Sequence, residues 1–96
     1  MQYSYVYILT NKKNGTLYTG VTSDLLKRMA QHRQKMAKGF TYKYNLSRLV
    51  HYIIQEDIEE AILLEKKIKR WHRSWKIALI EEDNPNWDDL YDKISL

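Results

Sequence analysis

Residues 3–10 (YSYVYILT) alternate, with Tyr3, Tyr5, Tyr7 and Leu9 on one side and Val6 and Ile8 on the other. That period predicts a β-strand at least partly covered on both faces. Asn11 to Gly15 (NKKNG) is turn chemistry, with Asn14 and Gly15 suited to positive φ. Thr16 to Val21 reads as the returning strand, and Gly20 near its end marks a close approach or a bulge. Thr22 or Ser23 is expected to cap a helix from Asp24 to about Met36, with Leu25, Leu26, Met29, Ala30 and Met36 as its apolar stripe. Residues 37–47 mix Gly39, lysines and aromatics and read as a loop, and Arg48 to Gln55 (RLVHYIIQ) as a third strand. Asp57 followed by Glu60 resembles a capping box that opens a helix to about Trp71 or Arg73. Ser74 is expected to cap a shorter helix over Trp75 to Glu82, stopped by Asn84, Pro85 and Asn86. The order β-β-α-β-α-α predicts one small α+β domain with a three-stranded antiparallel sheet flanked by helices.

Composition narrows the chemistry. A chain of 96 residues holds one core, and with no cysteine it has no disulfide scaffold, thiolate metal site or thiol nucleophile. No apolar run approaches the roughly 20 residues needed to span a bilayer, and no secretory signal is evident, so the expected compartment is the cytoplasm. The net charge of +4 is modest, but its distribution is uneven. Residues 1–55 hold nine Lys/Arg and a single acid, Asp24, whereas residues 77–96 hold six acids and one Lys. A basic body with an acidic end suits a polyanionic partner such as nucleic acid, with ordinary solubility as the bland alternative. The expected division is a domain over 1–83 and an acidic tail over 84–96, carrying Trp87, Leu90 and Tyr91 for docking on it.

Three features bear on catalysis. Arg28 and His32 are i and i+4 on the margin of the first helix stripe, able to look into a groove between helix and sheet; a snorkelling Arg and a surface His are the plain alternative. Tyr7 and Tyr18 lie on the two strands of the hairpin, with a register that one sequence does not fix. Glu65 is the oddest. Ile58, Ala61, Ile62, Leu64, Ile68, Trp71 and Trp75 define the buried arc of the second long helix, and Glu65 falls inside it. A carboxylate there must be paired, protonated or bound to a metal, with Arg28 or Lys69 as candidate structural partners.

Tyr5-Val6-Tyr7, a ten-residue gap, Tyr18-Thr19-Gly20, the run from Asp24 to His32 (DLLKRMAQH) and the later helical Glu65 together resemble the GIY-YIG nuclease domain over nearly the whole chain. The resemblance is to small stand-alone bacterial members, akin to the N-terminal domain found in the endonuclease of nucleotide excision repair. Tyr5 replaces the Gly of the signature and Thr19 the Ile, and Lys76 to Ala78 stand where the family often has an Asn.

The resemblance implies phosphodiester hydrolysis with one divalent cation, Mg²⁺ or Mn²⁺, in a protein of the DNA-repair type. Tyr7 would orient or activate water, Tyr18 would support it, Arg28 would bind the scissile phosphate, His32 would assist proton transfer and Glu65 would hold the metal. Lys27, Lys35, Lys38, Tyr42, Lys43, Arg48 and Lys69 are the expected nucleic-acid contacts, with Phe40 and Tyr44 interleaved among them. The expected partner is DNA, together with a possible targeting protein, and the protein is expected to act as a monomer without a membrane. Two other readings stand beside an endonuclease: a binding module of the same fold without turnover, and a protein-interaction domain whose partner meets the Trp- and Tyr-rich tail.

Overall fold

A computed structural model describes residues 2–34 and 39–95. Strand β1 (Ser4–Thr10) is the middle of an antiparallel sheet of order β2-β1-β3, with β2 at Leu17–Thr22 and β3 at Arg48–Gln55. Tyr7 lies opposite Gly20, and Leu9 opposite Tyr18, so Tyr7, Leu9 and Tyr18 share one face of the sheet. The hairpin turn uses the left-handed conformation at Asn14 (φ 60°), while the Asn11 side chain accepts the Thr16 N–H beneath it.

The two faces carry separate apolar layers. On one, Tyr7, Leu9 and Leu49 pack against Leu25 and Met29 of helix α1 (Leu25–Arg33) and against Leu46. On the other, Val6 packs with Ala61 and Ile68 of helix α3 (Ile58–Lys69). Beside it, Ile8 and Val50 pack with Ile80 of helix α4 (Arg73–Asp83) and with Trp87. The expected α+β architecture and element order are what forms. Two short helices add to it: α2 (Phe40–Lys43), between α1 and β3, and α5 (Tyr91–Ile94), near the C-terminus.

Several local expectations are corrected. Asp24, not Thr22 or Ser23, caps α1, because its carboxylate accepts the Lys27 N–H. Thr22 instead exchanges hydrogen bonds with the Asp24 backbone and fixes the approach. The helix stops at Arg33 rather than Met36; Lys35, Met36 and Lys38 lie outside the described residues. Its buried face is Leu25, Met29 and His32, at i, i+4 and i+7, so Leu26 is left exposed and His32 lies on the stripe rather than at its margin. The segment expected to be a loop over 37–47 contains α2, buries Thr41 and Leu46, and leaves Tyr42 and Tyr44 exposed.

Asp57 caps α3 as expected, accepting the Glu60 N–H, but that helix ends at Lys69. Helix α4 then starts at Arg73 with His72, not Ser74, at its cap position and no side-chain cap bond. Ile58 and Trp75 therefore fall outside the buried arc, since one lies in the first turn of α3 and the other on a new helix.

The segment after α4 is folded against the body. Trp87 is fully buried (0%), and the Asn84 amide donates to the Val50 and Asp88 carbonyls. The Leu90 N–H donates to the Leu49 carbonyl, while Asp89 accepts from Leu49 and pairs with Arg33 of α1. The Arg33 guanidinium also lies over the Tyr91 ring, 4.1 Å from its centroid.

Candidate active site

The hairpin, α1 and α3 supply the candidate groups. Tyr7 projects from the middle of β1 towards α1, and its hydroxyl lies 3.3 Å from His32 Nε2. The rings of Tyr7, Tyr18 and His32 form a triangle with centroid separations of 6.3, 6.0 and 6.3 Å. Gly20, opposite Tyr7, leaves the room this needs: a β-carbon there would lie 2.4 Å from Tyr7 Cζ. The close approach expected at Gly20 is therefore made by a tyrosine ring.

Burial, with the neighbouring Tyr18, pushes the Tyr7 phenol well above its ordinary value; the Arg28 charge pulls it back and Glu65 adds to the rise. The His32 imidazole is pushed below its ordinary value by burial and then by Arg28. Both groups are therefore neutral near pH 7. Two neutral partners share one proton in this contact: with the imidazole hydrogen on Nδ1 the Tyr7 phenol donates to Nε2, and with it on Nε2 the ring donates to the phenol oxygen. Among the described residues that buried Nδ1 has no hydrogen-bond partner, and neither has Thr19 Oγ1.

Glu65 is buried at 9% exposure, as the helix pattern required. The ammonium of Lys69, one turn along α3, holds its carboxylate at 2.8 Å and lies 6.0 Å from the Tyr18 ring centroid. Of the two partners expected for Glu65, Lys69 is the one in contact. The arrangement also tests whether a metal would fit: this carboxylate is already charged and holding a cation. Among the described residues no group of three or more His, Cys, Asp or Glu could hold an ion. Such a donor set suits a hard, hydrated cation that takes one protein carboxylate and fills its other positions with water and phosphate oxygen. It does not suit a closed zinc site.

Arg28 is half-buried and lines a small polar recess with Thr22, Ser23, Asp24, Lys27 and Gln31. Gln31 was not singled out from sequence, although its i+4 spacing from Lys27 is the signal that places it there. The remaining expected contacts scatter. Tyr42 and Lys43 are exposed on α2, while Arg48 donates to the Trp87 carbonyl and so is tied to the C-terminal segment. Exposed His72 meets only the edge of Trp75 among the described ring contacts.

The sequence model of the GIY-YIG catalytic domain matches residues 3–78, which takes in the hairpin, α1, β3, α3 and the start of α4. The chain belongs to the GIY-YIG family. A UPF0213 protein of Pectobacterium carotovorum is 37% identical over 79 residues, covering 81% of this chain and 78% of that one. A UPF0213 protein of Staphylococcus saprophyticus is 33% identical over 82 residues, covering 85% and 99%. The solution NMR structure of a UPF0213 protein from Bacillus halodurans superposes with a TM-score of 0.56 at 30% identity, covering 91% of this chain and 92% of that one. The GIY-YIG assignment fixes a nuclease-like fold. Among the described residues, no helix is long and apolar enough to cross a membrane.

Proposed function

We propose that this protein hydrolyses phosphodiester bonds in DNA with a divalent cation, Mg²⁺ or Mn²⁺, held by Glu65. The observation that carries the reading is the Tyr7 hydroxyl, hydrogen-bonded to a buried neutral His32 beside Tyr18 and within the fields of Arg28 and Glu65. A phosphodiester is anionic, so its hydrolysis needs charge neutralisation and alignment more than covalent chemistry. When bound, the cation supplies the larger part of that neutralisation.

The protein's own groups divide the rest. Arg28 binds the non-bridging oxygens of the scissile phosphate in a forked contact. Lys27 and Lys43 hold the flanking backbone, as do Lys35 and Lys38 beyond the described residues. Tyr7 orients the attacking water. As the water oxygen bonds to phosphorus and the leaving oxygen departs, the Tyr7 oxygen accepts the water proton and passes its own to His32 Nε2. The leaving oxygen is protonated from solvent and His32 returns its proton to solvent, so the cycle closes. Tyr18 packs beside Tyr7 and keeps the phenol from rotating away.

The test is cleavage of plain, nicked and branched DNA with Mg²⁺ or Mn²⁺ by the full chain. Wild type cuts, and Glu65→Ala and Tyr7→Phe, both still folded, do not. Equal background cleavage by wild type and Glu65→Ala at every concentration sinks the proposal. Salt-dependent DNA binding by wild type without turnover replaces it with the binding-module reading, which the Lys76 to Ala78 stretch in place of the family's Asn favours. Asn84 does not stand in for that residue, because its amide is spent on the Val50 and Asp88 carbonyls.

A further inference from the structure

The junction of α3 and α4 exposes aromatic surface where the chain is most basic. Trp75 is 57% exposed, in contrast to Trp87, which is fully buried. Trp71 meets it edge-on at 6.1 Å between centroids and His72 at 5.8 Å, so Trp75 is braced on two sides while most of it stays open. Trp71 itself is anchored in the layer formed by Val6, Ala61 and Ile68. A shallow groove beside the pair is lined by Ala78, Leu79 and, at its polar end, Glu82.

The surrounding charge says what covers this patch. Residues 66–76 contain Lys66, Lys67, Lys69, Arg70, Arg73 and Lys76 and no acid. Three of these cations have structural duties: Lys69 holds Glu65, Arg73 donates to the Asn14 and Gly15 carbonyls, and the Lys76 ammonium reaches the Lys69 carbonyl. Lys66, Lys67 and Arg70 are exposed, and among the described residues no ion pair holds them. A rigid exposed ring that follows these unpaired cations within ten residues of chain complements a flexible polyanion with flat bases; a neutral or basic protein surface leaves those charges unanswered.

We infer that Trp75, braced by Trp71 and His72 just after the helix end that carries the exposed Lys66, Lys67 and Arg70, is a stacking subsite for an unpaired base of a single-stranded nucleic acid. The inference rests on the nucleic-acid reading of the preceding subsection. A base inside a duplex is already stacked and does not present its face, so the subsite discriminates single strands from duplexes without reading sequence.

The experiment titrates the full-length protein, at low salt, with an unlabelled twelve-nucleotide oligothymidylate and with a blunt duplex of twelve base pairs. Binding is followed by intrinsic tryptophan emission, and Trp87 is too enclosed to respond directly. The single strand quenches wild-type emission. Trp75→Ala abolishes most of that quench and weakens single-strand binding by roughly 5- to 150-fold, the usual range for one base–aromatic stack. Trp75→Phe recovers most of the affinity, and duplex affinity stays within about twofold in both variants. Because the ring lies outside the core, circular dichroism and Tm of Trp75→Ala match wild type.

Unchanged single-strand affinity in a folded Trp75→Ala, with Glu65-dependent cleavage intact, overturns this inference alone. Failure of wild type to bind either oligonucleotide overturns it together with the nuclease reading. Conversion of a wild-type dimer to a monomer by Trp75→Ala in sedimentation, with no effect on oligonucleotide binding, makes a second copy of the chain the occupant and overturns it as well.

Discussion

The Tyr7 hydroxyl lies over the backbone of Gly20, where a β-carbon would fall 2.5 Å from it. The ring is fully buried and cannot retreat into solvent. Gly20→Ala therefore moves the hydroxyl away from His32 Nε2 by steric force on a rigid ring. The expected outcome is a folded but destabilised protein, by about 1–3 kcal/mol as for other overpacked sites. Cleavage is lost to nearly the extent expected of Tyr7→Phe. Denaturant melts and a cleavage assay on the two variants check this.

Tyr7 and the two buried histidines set opposite ends of the pH range. His32 and His51 are both held below their ordinary value by burial; for His32 the Arg28 charge adds to it, and for His51 the acids Asp83 and Glu82 oppose it in part. Below about pH 6.5 the unfolded chain then binds protons that the folded one refuses, so stability falls as pH drops through that point. The raised Tyr7 phenol works in the other direction: above about pH 10 the unfolded chain releases a proton that the folded one keeps, and stability falls as pH rises. Tm measured from pH 5 to 11 declines at both ends. His32→Gln shallows the acid limb and Tyr7→Phe the alkaline one, and an acid limb left unaltered by His32→Gln refutes the assignment.

Lys69 holds the oxygen that a metal would need. Lys69→Gln frees the Glu65 carboxylate, and Mg²⁺ or Mn²⁺ binding tightens several-fold in calorimetry. An i,i+4 pair with one half-exposed partner is worth only about 0.3–0.5 kcal/mol, so the stability change is small. DNA cleavage at saturating metal then reports whether Lys69 also contributes to the phosphate. Weaker metal binding by Lys69→Gln contradicts the competition.

Trp87 is wholly enclosed between β1, β3 and α4 with its backbone at φ 59°, a conformation uncommon for a bulky residue. Its indole N–H donates to Glu81 at 2.7 Å. Trp87→Ala costs about 3–5 kcal/mol, the usual range for removing a core tryptophan. Removing residues 84–96 costs at least as much, since Asp89 and Tyr91 go with it. A truncated chain that melts at the wild-type temperature contradicts this.

Much of this was legible from the order of residues, for identifiable reasons. Strand β3 has the bounds that its apolar run gives, and Glu65 is buried where the helix wheel puts it, because a three-turn amphipathic element leaves little choice of face. The α+β order follows from strong periodicity in each long segment. Ile58 falls off the expected arc because it lies in the first turn of α3, and Trp75 because a single wheel does not carry across the break at Arg70 to His72, which no proline or glycine announces. His32 shares the buried stripe of Leu25 and Met29, but a wheel drawn through Leu26, Ala30 and Met36 turns that stripe and leaves His32 at its margin. Trp87 reads as a docking residue on a charged tail, and only the inter-element packing makes it core.

The ion pair between Lys69 and Glu65 has one more implication. Glu65 is the only acid that is buried among the described residues, and it is neutralised from within its own helix. On the proposed reading, chelation abolishes cleavage while leaving the melting curve where it was, because Lys69 answers the Glu65 charge when no metal does. On that reading, switching the protein on is an exchange of companions at a single carboxylate, with the scaffold as bystander.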